Sequence, residues 1–200
     1  MPHIAIEGCI ASGKTTLASA LAQELGIQPT LEDYHDVPSL ELFYKDPDTH
    51  AFETEMQFTQ SHFNRLAPAL DVSRESTLVT DFTLKRDLLF ATITLERQPD
   101  KLIKYKRFWQ SLAKQLPEPD LILLLEAPVD ELLRRIRLRG RSFEQRISAA
   151  YLERLVSGLR ETYHDAPEGS VQIVDSTNRS DLLGIITPFV NTWLGPRQQS

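Results

Sequence analysis

One octapeptide constrains this chain more than anything else in it: GCIASGKT, Gly8 to Thr15, which matches the phosphate-loop pattern G-x-x-x-x-G-K-[ST]. Such a loop works only between a strand and a helix. Its glycines let the backbone wrap with N–H groups pointing inward, and the following helix turns its positive end on an anion. Both neighbours are legible. His3 to Glu7 reads as a buried strand stopped by Gly8. Lys14 to Leu25 reads as a helix with Leu17, Leu21 and Leu25 on one stripe and Gly26 placed to end it. The expected phosphate contacts are Gly8, Cys9, Ile10, Ala11, Ser12, Gly13, Lys14, Thr15 and Thr16. Lys14 would reach the outer phosphates of ATP, and the Thr15 hydroxyl would bind Mg²⁺. Cys9 is the only cysteine, so it is read as a small filler rather than a redox switch.

The rest of the chain continues the alternation. Further strand candidates are Pro29 to Glu32, Thr77 to Thr80, Leu121 to Leu125 and Val171 to Val174. Helical patterns run from Ser39 to about Leu66 with a break at Asp46-Pro47, from Lys101 to Leu116, through VDELL after Pro128, from Ser148 to Tyr163, and from Asp181 to Leu194. Five short apolar strands alternating with helices predict an α/β fold, a five-stranded parallel sheet with helices on both faces. The 200 residues are read as one domain, 1–200, with a loose tail from Gly195. A net charge of −6 argues against a general binder of nucleic acid or anionic membrane, so any anion site must be built locally. No apolar run reaches the roughly 18 residues of a spanning helix. The N-terminus is too short and polar for a signal peptide, and one cysteine allows no internal disulfide. The expectation is a cytoplasmic protein.

Which phosphate-loop protein this is depends on five stretches in order, from Ile4 to about Asp175: IEGCIASGKTT, LED at Leu31 to Asp33, LELFYKDPDTHAFETEMQF, TDFTLKRDLLFA and RRIRLRGRSFEQ. Together they resemble the deoxynucleoside kinase family, especially its bacterial deoxyadenosine and deoxyguanosine kinase branch. The resemblance implies a P-loop kinase fold with an arginine-rich lid. It implies ATP and Mg²⁺, a small deoxynucleoside substrate, no nucleic-acid or membrane partner, and a homodimer. By the motif match, Glu32 is the base that accepts the 5′-hydroxyl proton and Tyr44 holds the 3′-hydroxyl. Asp81 matches the acid that helps hold Mg²⁺ and lines the substrate site, while Asp87 matches an acid near the base. Lys14, Arg135, Arg139 and Arg141 would stabilise the transferred phosphoryl group, and Glu144 would reach the sugar.

Beside the resemblance stands a physical case. Phosphoryl transfer to an alcohol needs alignment, charge neutralisation and a nearby proton acceptor. Glu32 and Asp81, each at the end of a strand, sit where an open α/β sheet does its chemistry. Arg135 and Arg139 are four apart, as are Arg137 and Arg141, so each pair would share a helical face; Arg134 and Arg137 are read as solvated. A guanidinium suits a phosphate bidentately. The resemblance further implies that the loop Val174 to Asp181 lies against the adenine of ATP, a region where Arg179 could stack.

Two positions depart from the family. The arginine usual in the middle of its D-R-S/T motif is Phe82, and Lys85 or Arg86 would have to supply the missing charge. The base-reading glutamine falls on Glu55. An ionised glutamate offers only acceptors, which suits the two adjacent donors N1–H and N2–H of guanine and repels the lone pair at adenine N1. His62, seven residues on, shares that helical face, where relatives often carry arginine, and is otherwise a packing residue beside Phe58. The stripe Phe52, Met56, Phe63 and Leu66 is core or subunit contact. The leading expectation is therefore ATP-dependent 5′-phosphorylation of a purine deoxynucleoside, deoxyguanosine before deoxyadenosine. The alternatives are a nucleoside monophosphate kinase of thymidylate kinase type and a non-catalytic regulator. The first would need cations aimed at an acceptor phosphate, and the second would leave Glu32 idle.

Overall fold

The computed structural model describes residues 2–72, 76–178 and 181–195. Its elements run β1 (His3–Gly8), α1 (Lys14–Glu24), α2 (Leu40–Lys45), α3 (Pro47–Val72), β2 (Leu78–Thr80), α4 (Leu84–Thr94) and α5 (Pro99–Ala113). They continue with β3 (Leu121–Glu126), α6 (Val129–Arg139), α7 (Ala149–His164), β4 (Val171–Asp175) and α8 (Leu182–Leu194). The strands pair in parallel in the order β2-β1-β3-β4. Side chains on a strand alternate between faces, and the two inner strands feed two cores this way. Ile4, Ile6, Leu121, Leu123 and Leu125 pack under α1 and α8. Ala5, Ile122 and Leu124 pack under α6 and α7. A third core lies off the sheet, where Phe43, Ala51, Ala91 and Tyr105 join α2, α3, α4 and α5.

The sheet has four strands, not the five expected from sequence. The segment expected as a second strand makes a single parallel bridge, Thr30 with Thr80, through Thr30 N–H to the Val79 carbonyl at 2.9 Å. Pro29 has no N–H to give a ladder. The Glu32 amide donates instead to the Asp81 carboxylate at 2.7 Å, and the Leu31 carbonyl accepts from Arg65. The backbone that would extend the strand is engaged by the site. Helix α4 has no counterpart in the sequence reading. Its start signal is Thr83, whose side chain accepts from the Arg86 amide, with Asp87 in the first turn. The β-branched run Thr92-Ile93-Thr94 obscures its C-terminal half. The Asp46-Pro47 break falls as expected, between α2 and α3. Phe52 and Met56 pack on the third core, and Leu66 is buried against Leu78 and Phe82. The tail residues 196–200 lie outside those described.

His3 shows how tightly β1 is enclosed. Its Nε2 lies 3.0 Å from Thr80 Oγ1, whose single proton goes to the Phe82 carbonyl. Nε2 must therefore carry the hydrogen, leaving buried Nδ1 as a lone pair with no partner. Burial, opposed by Asp120, pushes this imidazole down to about 4. A histidine depressed in the folded state contributes stability above its unfolded value near 6.5, and that contribution is lost as pH falls toward 4. We expect the native protein to lose up to about 3 kcal/mol relative to His3→Gln between pH 7 and pH 4, measured by urea unfolding. A constant gap across that range would contradict a neutral buried His3.

Candidate active site

The phosphate loop leaves β1 through Gly8, at φ 148°, and enters α1 through Gly13, at φ 109°, with Ala11 also at a positive φ of 63°. A Cβ on Gly8 would stand 2.7 Å from the Leu125 carbonyl, so only glycine lets the loop lie this close to β3. No side chain caps α1, so the N–H groups of its first turn, at Lys14, Thr15 and Thr16, are left for an anion. Lys14 bends back over the loop and donates to the carbonyls of Gly8 and Cys9 at 3.1 and 3.0 Å. Cys9 is 2% exposed, and burial pushes its thiol up to about 11, so it is a packed filler and not a thiolate.

Asp81 follows β2 at the same edge of the sheet. Its Oδ2 accepts from Thr15 Oγ1 at 2.5 Å, and its Oδ1 from the Glu32 amide at 2.7 Å. Two hard oxygens thus meet beside the phosphate loop. Mg²⁺ favours one or two such protein oxygens plus phosphate and water, so the pair Thr15 and Asp81 fits it. No group of three or more His, Cys, Asp or Glu ligands exists among the described residues, which disfavours an all-protein cage.

Behind Asp81 runs a buried chain of alternating charge: Glu7, Arg86, Glu32, His62, Asp87. Arg86, on the first turn of α4, lies 3.9 Å from Glu7 Oε2. It donates to the Asp81 carbonyl at 3.1 Å and to Glu32 Oε2 at 2.5 Å. His62 Nε2 reaches the same Glu32 oxygen at 3.2 Å, and its Nδ1 reaches both Asp87 oxygens at 2.9 Å. The imidazole stacks on Phe82, ring centres 4.3 Å apart and planes 14° apart. Burial works against every charge here, and partners decide the outcome. Arg86 and then His62 overcome it at Glu32, whose carboxyl is held well below the usual range. Asp87, followed by Glu32, raises His62 to about 9. At Glu7 burial prevails and the carboxyl is raised. Both cations engage Glu32 Oε2, so Oε1 is left for a substrate, and the side chain is still 30% exposed.

The structure thus selects between the two residues expected to replace the arginine absent at Phe82. Arg86 is in the site, whereas Lys85 lies 5.6 Å over the Tyr163 ring. Sequence reading gave His62 the base edge or a packing role; it bridges Glu32 and Asp87. Only its seven-residue spacing from Glu55 hinted at the site.

One cavity collects Lys14, Thr15, Glu32, Tyr44, Glu55, Asp81, Asp87, Arg139, Arg141 and Glu144, walled by Phe58, Phe90 and Tyr151. Glu55 is 4% exposed, and among the described residues its side-chain partner is the Thr94 hydroxyl at 2.9 Å. Burial pushes its carboxyl up to about 8, so near neutral pH it is an acid and not the ionised acceptor assumed from sequence. Glu144 is clamped by Arg139 at 2.5 Å and Arg141 at 3.1 Å, and the Arg141 guanidinium lies 4.0 Å over the Tyr34 ring.

Two expectations about the lid are corrected. Arg135 does not line the cavity. Its donors go to Glu131, to the Ser12 carbonyl at 3.2 Å, and to the Ser176 and Thr177 carbonyls at 2.6 and 3.1 Å, so it ties the loop after β4 to the phosphate loop. Arg137 and Arg141 do not share a helical face, because Gly140 ends α6 in a left-handed conformation. Arg134 pairs with Glu131, and Arg137 is exposed. Arg179 lies outside the described residues.

A family model for deoxynucleoside kinases matches residues 4–184. The chain is 35% identical over 188 residues to a deoxyguanosine kinase of Bacillus subtilis, spanning 91% of this chain and 90% of that one. It is 33% identical over 166 residues to a deoxyadenosine kinase of Dictyostelium discoideum, spanning 82% and 67%. A solved structure of deoxyadenosine kinase from M. mycoides with bound dATP superposes with a TM-score of 0.83. It is 22% identical, over 96% of this chain and 100% of that one, a likeness that speaks for the fold.

Removing Arg86 strands Glu7 and Glu32 without their shared cation. Arg86→Leu is expected to destabilise the protein by about 3 kcal/mol at pH 7, measured by denaturant unfolding. Glu32 is depressed when folded, so its contribution is present above its ordinary value of 4.5 and lost as pH falls. The penalty of Arg86→Leu should therefore shrink below about pH 4.5, and a penalty that grows on acidification would refute the pairing.

Proposed function

The chain belongs to the deoxynucleoside kinase family, and from that premise we propose that it transfers the γ-phosphoryl group of ATP to the 5′-hydroxyl of a purine deoxynucleoside, deoxyguanosine ahead of deoxyadenosine. The observation that carries this reading is Glu32, which lines the cavity and whose Oε2 is occupied by Arg86 and His62, leaving Oε1 to accept from a substrate. A hydroxyl donating to Oε1 would share its cavity with Lys14 and Thr15 of the phosphate loop. Glu32 stays ionised across the working pH range and is a weak base, so the proton moves to it late, as the new P–O bond forms. Arg86, held against Glu32, would neutralise charge at the acceptor end. Mg²⁺, held by Thr15 and Asp81 with phosphate oxygens, would supply charge neutralisation at the phosphates. Lys14 can swing from the carbonyls of Gly8 and Cys9 to a phosphate. Arg139 and Arg141 are within the same cavity to help close it against water. Tyr44 and Glu144 line the same cavity and would hold the sugar.

Support for a purine comes from Glu55 and Asp87, carboxyl groups that line the same cavity as Phe58 and Phe90. The deoxyguanosine kinase named among the relatives points the same way. In an equimolar mixture of the four deoxynucleosides with Mg-ATP, deoxyguanosine monophosphate should dominate the products. Dominance of a pyrimidine monophosphate would overturn the purine preference, and absence of any monophosphate would overturn the acceptor reading. Glu32→Gln should lower kcat by about 10²- to 10⁴-fold with ATP affinity changed only a few-fold, and undiminished turnover would remove Glu32 from the proton-acceptor role.

A further inference from the structure

Thr94 and Glu55 pose a question of proton counting. Thr94 Oγ1 lies 2.9 Å from Glu55 Oε1 and 3.0 Å from the carbonyl of Phe90, one turn back on α4. A hydroxyl has one proton to give. If that proton goes to the Phe90 carbonyl, Oγ1 becomes an acceptor, and the contact with Glu55 is a hydrogen bond only when the carboxyl itself carries a proton. His3 and Thr80 show the same arrangement on β1 and β2.

The surroundings favour the acid form. Among the described residues Glu55 forms no ion pair, and it is 4% exposed. Asp87 on α4 faces it with a negative charge, and His62 on its own helix is already held by Asp87 and Glu32. Arg86 on α4 is engaged by Glu7 and Glu32. Tyr44 on α2, Tyr105 on α5 and Tyr151 on α7 stay neutral because burial pushes their hydroxyls up. Of the lid groups, Arg139 and Arg141 are paired with Glu144; Lys14, which donates to the carbonyls of Gly8 and Cys9, completes the charged lining with Asp33 and Asp81. No cation among the described residues pairs with Glu55, and burial sets its carboxyl at about 8.

We propose that Glu55 stands in the free enzyme as a neutral carboxylic acid, that deoxyadenosine binds this acid form, and that deoxyguanosine binds the carboxylate with release of its proton to solvent. This rests on the nucleoside kinase reading above, with Glu55 at the base. A carboxylic acid presents a donor beside an acceptor. Its O–H matches adenine N1, and its C=O accepts from the 6-amino group. Guanine presents two donors, N1–H and N2–H, and pairs with both oxygens only after the proton has left. One residue then serves both purines, and pH sets their ranking. Below about pH 8, deoxyguanosine affinity rises with pH while that for the acid-binding deoxyadenosine stays level.

The test is calorimetric titration of the whole protein with each nucleoside, in phosphate and in Tris, whose ionisation heats differ. At pH 7, deoxyguanosine binding should release close to one proton and deoxyadenosine none. The ratio of their dissociation constants should change about tenfold per pH unit between pH 6 and 7.5. Glu55→Gln should bind deoxyguanosine without proton release and lose the pH dependence of the ratio. If both purines bind the native protein with no proton released and a constant ratio, the proposal fails while the kinase reading stands. Proton release that persists in Glu55→Gln belongs to another group and also overturns it. If neither purine binds, the acceptor-site reading fails, and this one with it.

Discussion

A guanidinium that is 4% exposed persists only among carboxylates, and the acceptor side of this site is arranged around one: Arg86. Its position is set from three directions. Glu7 closes β1 just before the phosphate loop, the Asp81 carbonyl closes β2, and Glu32 follows the single bridge at Thr30. The same side chain therefore ties together the ends of three neighbouring segments of the sheet edge. Thr83 caps the helix that carries it, which fixes where the guanidinium can reach. Buried ion pairs seldom add net stability, because desolvation offsets the Coulomb gain. What this one supplies is geometry. It holds Glu32 by one oxygen, and His62 confirms the choice by binding that same oxygen.

The architecture divides the work between cores. The phosphate loop and Asp81 stand on the sheet, whose two faces are sealed by α1 and α8 on one side and α6 and α7 on the other. The wall with Tyr44, Glu55 and Phe58 belongs to the helical core of α2 to α5, off the sheet. The lid arginines follow from α6 and the turn after it. Donor and acceptor ends of the cavity thus rest on different packing units, and α4 joins them. It contributes Ala91 to the helical core, Ile93 to the sheet core, and Arg86 and Asp87 to the charge chain between.

Much of this was legible because it is local. The glycine spacing of the phosphate loop, the strand before it and the helix after it are encoded within some twenty residues. Asp81 and Glu32 were legible because strand ends carry chemistry in parallel sheets. The cases that failed are non-local. The segment Pro29 to Glu32 looks like a strand, yet its amide at Glu32 is claimed by a carboxylate 49 residues away. Arg135 looks like a lid arginine, yet its donors meet carbonyls 123 and 41 residues away. His62 has the spacing of a packing residue, and its role appears only when Phe82 is laid against it. Arg86 and His62 bring positive charge to Glu32 from two different helices, so that charge belongs to the site as a whole and not to one motif position.

Protonation is a further property that residue type does not carry. Three glutamates share this region and behave differently. Glu32 has two cations on one oxygen and is held ionised. Glu7 has one cation, at 3.9 Å, under complete burial, and its carboxyl is raised. Glu55 has a hydroxyl and a neighbouring carboxylate, and its carboxyl rises to about 8. Which carboxyl is lowered and which are raised follows from how strongly nearby cations oppose burial at each one, a balance set by packing between α3, α4 and the sheet. An acceptor-only glutamate and a glutamine-like glutamic acid are the same letter in a sequence. They differ in which purine edge they can meet, and burial as much as identity decides which of the two the residue is.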